Sequence, residues 1–414
     1  MQDMSRRRFL QWTAITGGSL AFASLVGQRR LMDLSVPVAH ADEPIKIGIL
    51  DPLSSPYKTS SIHDVHGANV AVDVFNKRGG VLGRPVVILE ADDASNPDQA
   101  VRVATKFIKE DRVDALMGTF NGDCALAVSA LAQKEDKLFM VTAAHIPELS
   151  GPACNAHTFV FMPHARMLAH AVVPHLVKAY GTRWYMITAA TIDGKSCAQA
   201  LVDAAQAHKV EIMGETTTPF GATDFAPAFT AAKAKQPTAI ILNLYGWDLV
   251  NALKGYAKLE MAKEKIGVGG LISGEQIGRP LGYASNAGIW GLIWDPKINT
   301  DSSKRFIQGV IDKYNHTPTS RCYLGYAAMT QILEAIQRAG TTQTAALIKA
   351  LEGHEFDGCK EGKSVFRASD HQHVQDVLVG EAYGKELGLG HYKILSTIAG
   401  QANPGAADQQ LCTR

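Results

Sequence analysis

Asn76-Lys77-Arg78-Gly79-Gly80-Val81-Leu82-Gly83-Arg84-Pro85 joins a helix to an apolar strand, and its reading decides the fold. Upstream, Ala68, Val72 and Phe75 recur at helical spacing, which predicts a helix over about 65–77 with one apolar face. Gly79 and Gly80 end that helix, since glycine takes the left-handed backbone that a helix end requires. Downstream, Val86-Val87-Ile88-Leu89 reads as a short strand buried on both faces, and Glu90-Ala91-Asp92-Asp93 forms its polar end. Ile45-Lys46-Ile47-Gly48-Ile49-Leu50 is a strand before the helix. A strand–helix–strand unit implies a parallel sheet, and such sheets bind ligands at the carboxyl ends of their strands.

The same alternation continues outward. Strands are predicted at 113–117 and 138–141, with helices at 99–109 and 124–133, completing one doubly wound lobe. After a break at 147–155, a second series follows on the same plan. Its strands are at 184–187, 210–213, 239–242 and 266–268, and its helices at 168–179, 197–207, 225–234 and 249–258. Ile289-Trp290-Gly291-Leu292-Ile293 reads as a strand returning to the first lobe, where helices at 304–314, 324–339 and 345–351 pack. Residues 374–383 and 392–398 alternate like strands, and 403–414 reads as a loose polar tail.

A chain of 414 residues, 46% hydrophobic and 20% charged, has the composition of a soluble globular protein and the length of two domains. The first 41 residues hold five Arg and two Asp, leaving 36 basic and 38 acidic residues after them. That balance excludes nucleic acid and anionic membrane surfaces as main partners. Ser5-Arg6-Arg7-Arg8-Phe9-Leu10-Gln11 resembles a twin-arginine export motif, an apolar stretch follows, and Ala39-His40-Ala41 matches a small-x-small cleavage site. The expectation is export to the periplasm with cleavage after Ala41. The six cysteines all follow that point, and an oxidising compartment predicts pairing among them with the connectivity open.

The ordered set of helix, Asn76-x-x-Gly79-Gly80-x-x-Gly83, strand, Asp92-Asp93 and Pro97-x-x-Ala100 resembles the leucine/isoleucine/valine-binding proteins. Those are the substrate-binding components of branched-chain amino-acid ABC transporters. Asp224-Phe225, Tyr326-Ala327-Ala328 and Asp370-His371-Gln372-His373 fit the same family, so the likeness spans nearly the whole chain. It implies the type I periplasmic-binding-protein fold: two doubly wound α/β lobes joined by a three-segment hinge. The lobes are expected at 42–163 plus 293–370 and at 164–292 plus 371–402, with crossings near Pro163, Ile293 and Asp370.

The resemblance also places a ligand in the cleft between the lobes. In the first lobe, Ser54, Tyr57 and Ser60 fit one binding loop, and Gly122 and Asp123 fit the helix start that grips a ligand carboxylate. Asp123 opposes an anion there, and it reads either as a cap for its own helix or as a sign of a neutral or cationic ligand. Ala143 and His145 match a third loop, in which the imidazole offers hydrogen bonds or, as the cation, pairs with a carboxylate. From the second lobe come Thr191, the flat surface of Tyr245 and Trp247, and Glu275 as partner for an ammonium group. Glu275 alternatively reads as a solvated residue at a helix start.

Catalytic signals are absent. Gly194-Lys195-Ser196 lacks the earlier glycine of a phosphate loop, and no dinucleotide or nucleophile-elbow pattern follows a strand. His164, His170 and His175, and likewise His371 and His373, read as solvated rather than metal-binding. The expectation is a monomeric, non-enzymatic solute-binding protein with no metal or cofactor, serving a membrane permease. Its ligand would be an amino acid or a similar small amine or carboxylate. The replacements at Asp123, His145 and Thr191 leave open an aromatic acid or amide instead, and a ligand-sensing receptor on the same fold is the alternative.

Overall fold

The computed structural model describes residues 43–55, 57–282, 285–387, 390–407 and 412. The export signal expected over 1–41 lies outside them. The quoted stretch folds as read. Helix α1 (Lys58–Asn76) follows strand β1 (Ile45–Asp51) and ends before β2 (Val86–Asp92). Gly79, Gly80 and Gly83 all have positive φ, and a Cβ on Gly80 would stand 2.0 Å from the Arg84 carbonyl oxygen. Asn76 has a job that the sequence left unstated. Its side chain donates to the Val86 carbonyl (2.9 Å) and accepts from the Val86 N–H (2.8 Å), tying the helix end to the strand start.

Helix α2 (Pro97–Lys109) starts at Asn96, whose side chain accepts from Gln99 N–H. Then come β3 (Ala115–Gly118), α3 (Gly122–Lys134), β4 (Leu138–Val141) and β5 (Thr158–Val160). The sheet order is β2-β1-β3-β4-β5, parallel throughout. One apolar cluster fills each face of this sheet.

The second series is α4 (Ala165–Tyr180), β6 (Arg183–Ala189), α5 (Ile192–Gln206), β7 (Glu211–Thr218), α6 (Ala226–Ala234) and β8 (Ala239–Asn243). It continues with α7 (Gly246–Lys258), β9 (Gly267–Ser273), α8 (Glu275–Leu281) and β10 (Ile289–Leu292). Helices α9 (Asp301–Tyr314), α10 (Ser320–Ala339) and α11 (Thr344–Leu351) return to the first core, where α1 and α10 pack together. Short strands β11 (Glu355–Asp357), β12 (Lys363–Phe366) and β13 (His373–Val374) form a small antiparallel sheet. Finally β14 (Val377–Leu387) and β15 (Gly390–Ile398) extend the second sheet, whose order is β15-β14-β10-β9-β8-β6-β7.

Several expectations change. Strand β10 belongs to the second sheet, between β9 and β14, and the chain returns to the first core only after it. His373 and Val374 still pair with β12, so the chain changes sheet over Gln375–Asp376 rather than near Asp370. The short strands β11 to β13 escaped the sequence reading because three- or four-residue strands carry too little alternation to register. The start of the tail is anchored: Asn403 is buried and donates to the Met167 carbonyl (2.9 Å), and Cys412 is disulfide-bonded to Cys154. Histidines expected in solvent are also buried. His371 stacks on Phe159 at 3.7 Å, His373 reaches the Phe161 carbonyl, and His164 caps α4. Among the described residues no helix is long and apolar enough to cross a membrane.

Candidate functional site

The carboxyl ends of the two sheets face each other across a cleft with about 430 Å³ of unfilled space, part of it open to solvent. Ser60, Phe120, Ala143, His145, Met162, Ile293 and Arg321 line it from the first core and its crossings. Tyr245, Gly246, Leu249, Ile272, Ser273, Gln276 and Ile277 line it from the second. The floor is therefore apolar and aromatic, and among the described residues that line it Arg321 alone carries a formal charge.

Arg321 is 5% exposed and lies in the first turn of α10, whose N-cap is Thr319. Among the described residues no carboxylate stands within ion-pair distance of its guanidinium. Its Cζ lies 4.0 Å from the Phe120 ring centroid, a cation–π contact. Burial weakens its hold on the proton, while Asp64, Asp51 and Asp193 act to keep it charged. Asp51 and Asp64 are both buried, and Asp64 accepts from the Thr142 hydroxyl at 3.0 Å. Burial pushes the Asp64 carboxyl up to about 6 against the pull of Arg321. A buried cation without a close counterion costs several kcal/mol unless something else satisfies it.

The helix start expected to grip an anion is already filled. Asp193, from α5 of the opposite lobe, accepts the Gly122 N–H at 2.9 Å with Oδ2. Its Oδ1 lies 3.8 Å from His145 Nδ1, and His145 Nε2 lies 3.1 Å from the Cys197 sulfur. Burial lowers the His145 pKa, partly opposed by Asp193, so this imidazole is neutral where an exposed one begins to charge. Burial likewise raises the Asp193 carboxyl, with His145 and the Gly122 N–H opposing. A Cβ on Gly122 would meet Ile192 Cγ2 at 2.8 Å and Asp193 Oδ2 at 3.0 Å from the opposite lobe, and Ile146 Cγ2 at 2.9 Å from its own, so close packing from both sides requires glycine here. The lobes thus touch directly beside the cleft.

The predicted site residues divide. Ser60, Ala143, His145 and Tyr245 line the cleft, and Tyr57 packs just behind it. The Tyr57 ring stacks on Phe120 at 4.4 Å and meets Phe220 edge-on at 4.7 Å, bridging the lobes with aromatic surface. Trp247 lies at the rim, where its indole N–H donates to Thr59 across the gap at 3.1 Å. Thr191 caps α5 by accepting from Gly194 N–H and reaches the Tyr245 hydroxyl at 3.2 Å.

Three residues stand elsewhere. Ser54 is exposed and helps hold Asp92. Asp123 is exposed too, and the cap of α3 is Asn121, whose side chain accepts from Asp123 and Cys124 N–H groups. Glu275 is buried but does not line the cleft; one carboxylate oxygen accepts the His391 N–H at 2.9 Å and the other meets the His391 ring. Both of its carboxylate oxygens are thus engaged by His391 inside the protein.

Arg321 and Asp193 were missed for different reasons. The apolar period of α10 is clear only from Leu324, so the sequence reading began the helix one turn late and left Arg321 outside it. Asp193 precedes the helix expected at 197–207, and nothing local in sequence says that it crosses to another lobe's helix.

The pattern of the periplasmic binding protein family matches residues 44–386. A Leu/Ile/Val-binding protein of Rhizobium johnstonii is 36% identical over 138 residues, a third of either chain. A Leu/Ile/Val-binding protein homologue of Brucella melitensis is 27% identical over 341 residues, covering 80% of this chain and 87% of its own. A solute-binding protein of an ABC transporter from Rhodopseudomonas palustris, solved with 3,4-dihydroxybenzoic acid, superposes with a TM-score of 0.80. It is 18% identical and covers 88% of this chain and 99% of its own.

Proposed function

Because the chain belongs to the periplasmic binding protein family, we propose that it captures a small aromatic carboxylate between its lobes and delivers it to an ABC importer's permease. The observation that carries this ligand class is Arg321, a buried cation facing an apolar and aromatic cleft with no acidic residue among the lining. A carboxylate on Arg321 satisfies the charge by bidentate hydrogen bonds, and a flat ring fits against Phe120 and Tyr245. A branched-chain amino acid fits less well. Its ammonium would be buried beside a guanidinium with no carboxylate among the lining residues, and Glu275 is engaged by His391. The Rhodopseudomonas palustris protein of the same fold holds 3,4-dihydroxybenzoic acid, a ligand of the proposed chemistry.

The protein works in the periplasm, and we take the twin-arginine route with cleavage after Ala41 as its means of export. It acts as a monomer and performs no chemistry on the solute. Closure supplies contacts from both lobes that the open form lacks, and so shifts the equilibrium toward the form a permease reads. A thermal-shift panel of benzoate, 4-hydroxybenzoate, benzamide and leucine tests the ligand class, since a ligand of the folded state raises the melting temperature. The two benzoates should raise it and the amide should not. A rise with leucine and none with the benzoates would return the reading to the branched-chain amino acids.

A further inference from the structure

On the first lobe, a cluster of histidines stands outside the residues that line the cleft. His63 and His66 stand one turn apart on α1, and His316 follows α9 on the loop leading into α10. One ring nitrogen from each lies within 4.8 Å of the others, and all three residues are half-buried. His66 Nδ1 and His316 Nε2 are 3.2 Å apart. On its other side, His316 Nδ1 is 2.9 Å from the Thr317 carbonyl oxygen and donates to it. That hydrogen bond fixes the tautomer and turns the Nε2 lone pair toward His66, the outer-shell arrangement that metal-binding imidazoles use. The His66 ring is held from behind by Tyr314, stacked at 3.7 Å. The Cys322 sulfur lies 3.4 Å from His63 Nδ1.

We propose that His63, His66 and His316 form a binding site for a divalent transition metal of the zinc, cobalt or copper class, with water completing the coordination. Imidazole nitrogens bind such ions at about 2.0–2.1 Å, so ligand nitrogens around one ion stand roughly 3.3 Å apart. The His66–His316 pair already has that spacing, and His63 approaches on the same helix face. In the metal-free state the two close nitrogens share one hydrogen. On binding, His66 carries it on Nε2 instead, so both lone pairs face the ion and no proton is lost. Oxygen-preferring ions such as magnesium and calcium are disfavoured by an all-nitrogen set. The loop that carries His316 also meets the second lobe, since Arg279 of α8 donates to the Thr317 carbonyl. A bound ion would pin that loop to α1.

The test is zinc calorimetry and cobalt absorption on untagged, chelator-treated protein. One equivalent of zinc should bind at micromolar or tighter concentration, and cobalt should give visible d–d bands. His66→Ala and His316→Ala should each weaken zinc by about a hundredfold while the metal-free protein stays folded, and His354→Ala should not. His66→Gln serves if the alanine variant folds poorly. No binding above buffer, or equal binding in the His66 and His316 variants, would overturn the proposal.

Discussion

Two helix starts in the first lobe point toward the cleft, and a carboxylate meets each of them differently. At the start of α3 the free N–H of Gly122 is taken by Asp193 from the opposite lobe, so the protein supplies its own carboxylate. At the start of α10, Arg321 presents a buried guanidinium with no carboxylate within ion-pair distance among the described residues. The family likeness points to the first place for a ligand's anionic group. The structure makes it a contact between the lobes, and the proposed function puts the solute at the second. A shared fold thus fixes where a cleft forms but not which helix start receives the charge.

The largest effect should come from the open place. Arg321→Gln should weaken benzoate-type ligands by about a hundredfold in calorimetry, the scale of losing one partner of a buried charged pair. The filled place should answer differently. Gly122→Ala forces a Cβ against Ile192 and Asp193 of the opposite lobe and Ile146 of its own, which should impede closure and cost about tenfold in affinity. X-ray scattering of that variant with saturating ligand should show a more open form than the parent.

Phe120→Leu removes the ring beneath the guanidinium and should weaken the aromatic ligand by roughly fivefold. Asp193→Asn keeps an acceptor for the Gly122 N–H and should change affinity by less than about threefold. An effect as large as that of Arg321→Gln would mean that the two places are one site. The smallest effect concerns acidity. His145 is held below its ordinary value of 6.5 by burial, so its contribution to stability is present above that pH and is lost as the pH falls through it. Urea melts of His145→Asn should therefore lose less stability between pH 7 and pH 5 than the parent.

Much of this architecture is legible in the sequence. The helix–glycine–strand unit, the alternation of both lobes and the loops at the strand ends all follow from local periodicity and turn chemistry, which act within a few residues. The cleft walls at Ser60, Ala143, His145 and Tyr245 were reachable because each follows a strand or opens a helix. What could not be read depends on which distant side chain arrives. Glu275 has the position expected of an ammonium partner, yet His391, far along the chain, occupies it. Asp123 looked like an obstacle to anions, but the helix turns it to solvent. Arg321 fell just outside a helix whose apolar repeat starts one turn later.

A crystal structure of the protein with a bound benzoate-type acid tests the central claim most directly. The account predicts the ligand carboxylate within hydrogen-bond distance of the Arg321 guanidinium and its ring against Phe120, with Asp193 still on the Gly122 N–H. A ligand carboxylate on the Gly122 N–H, with Asp193 displaced and Arg321 untouched, would contradict it.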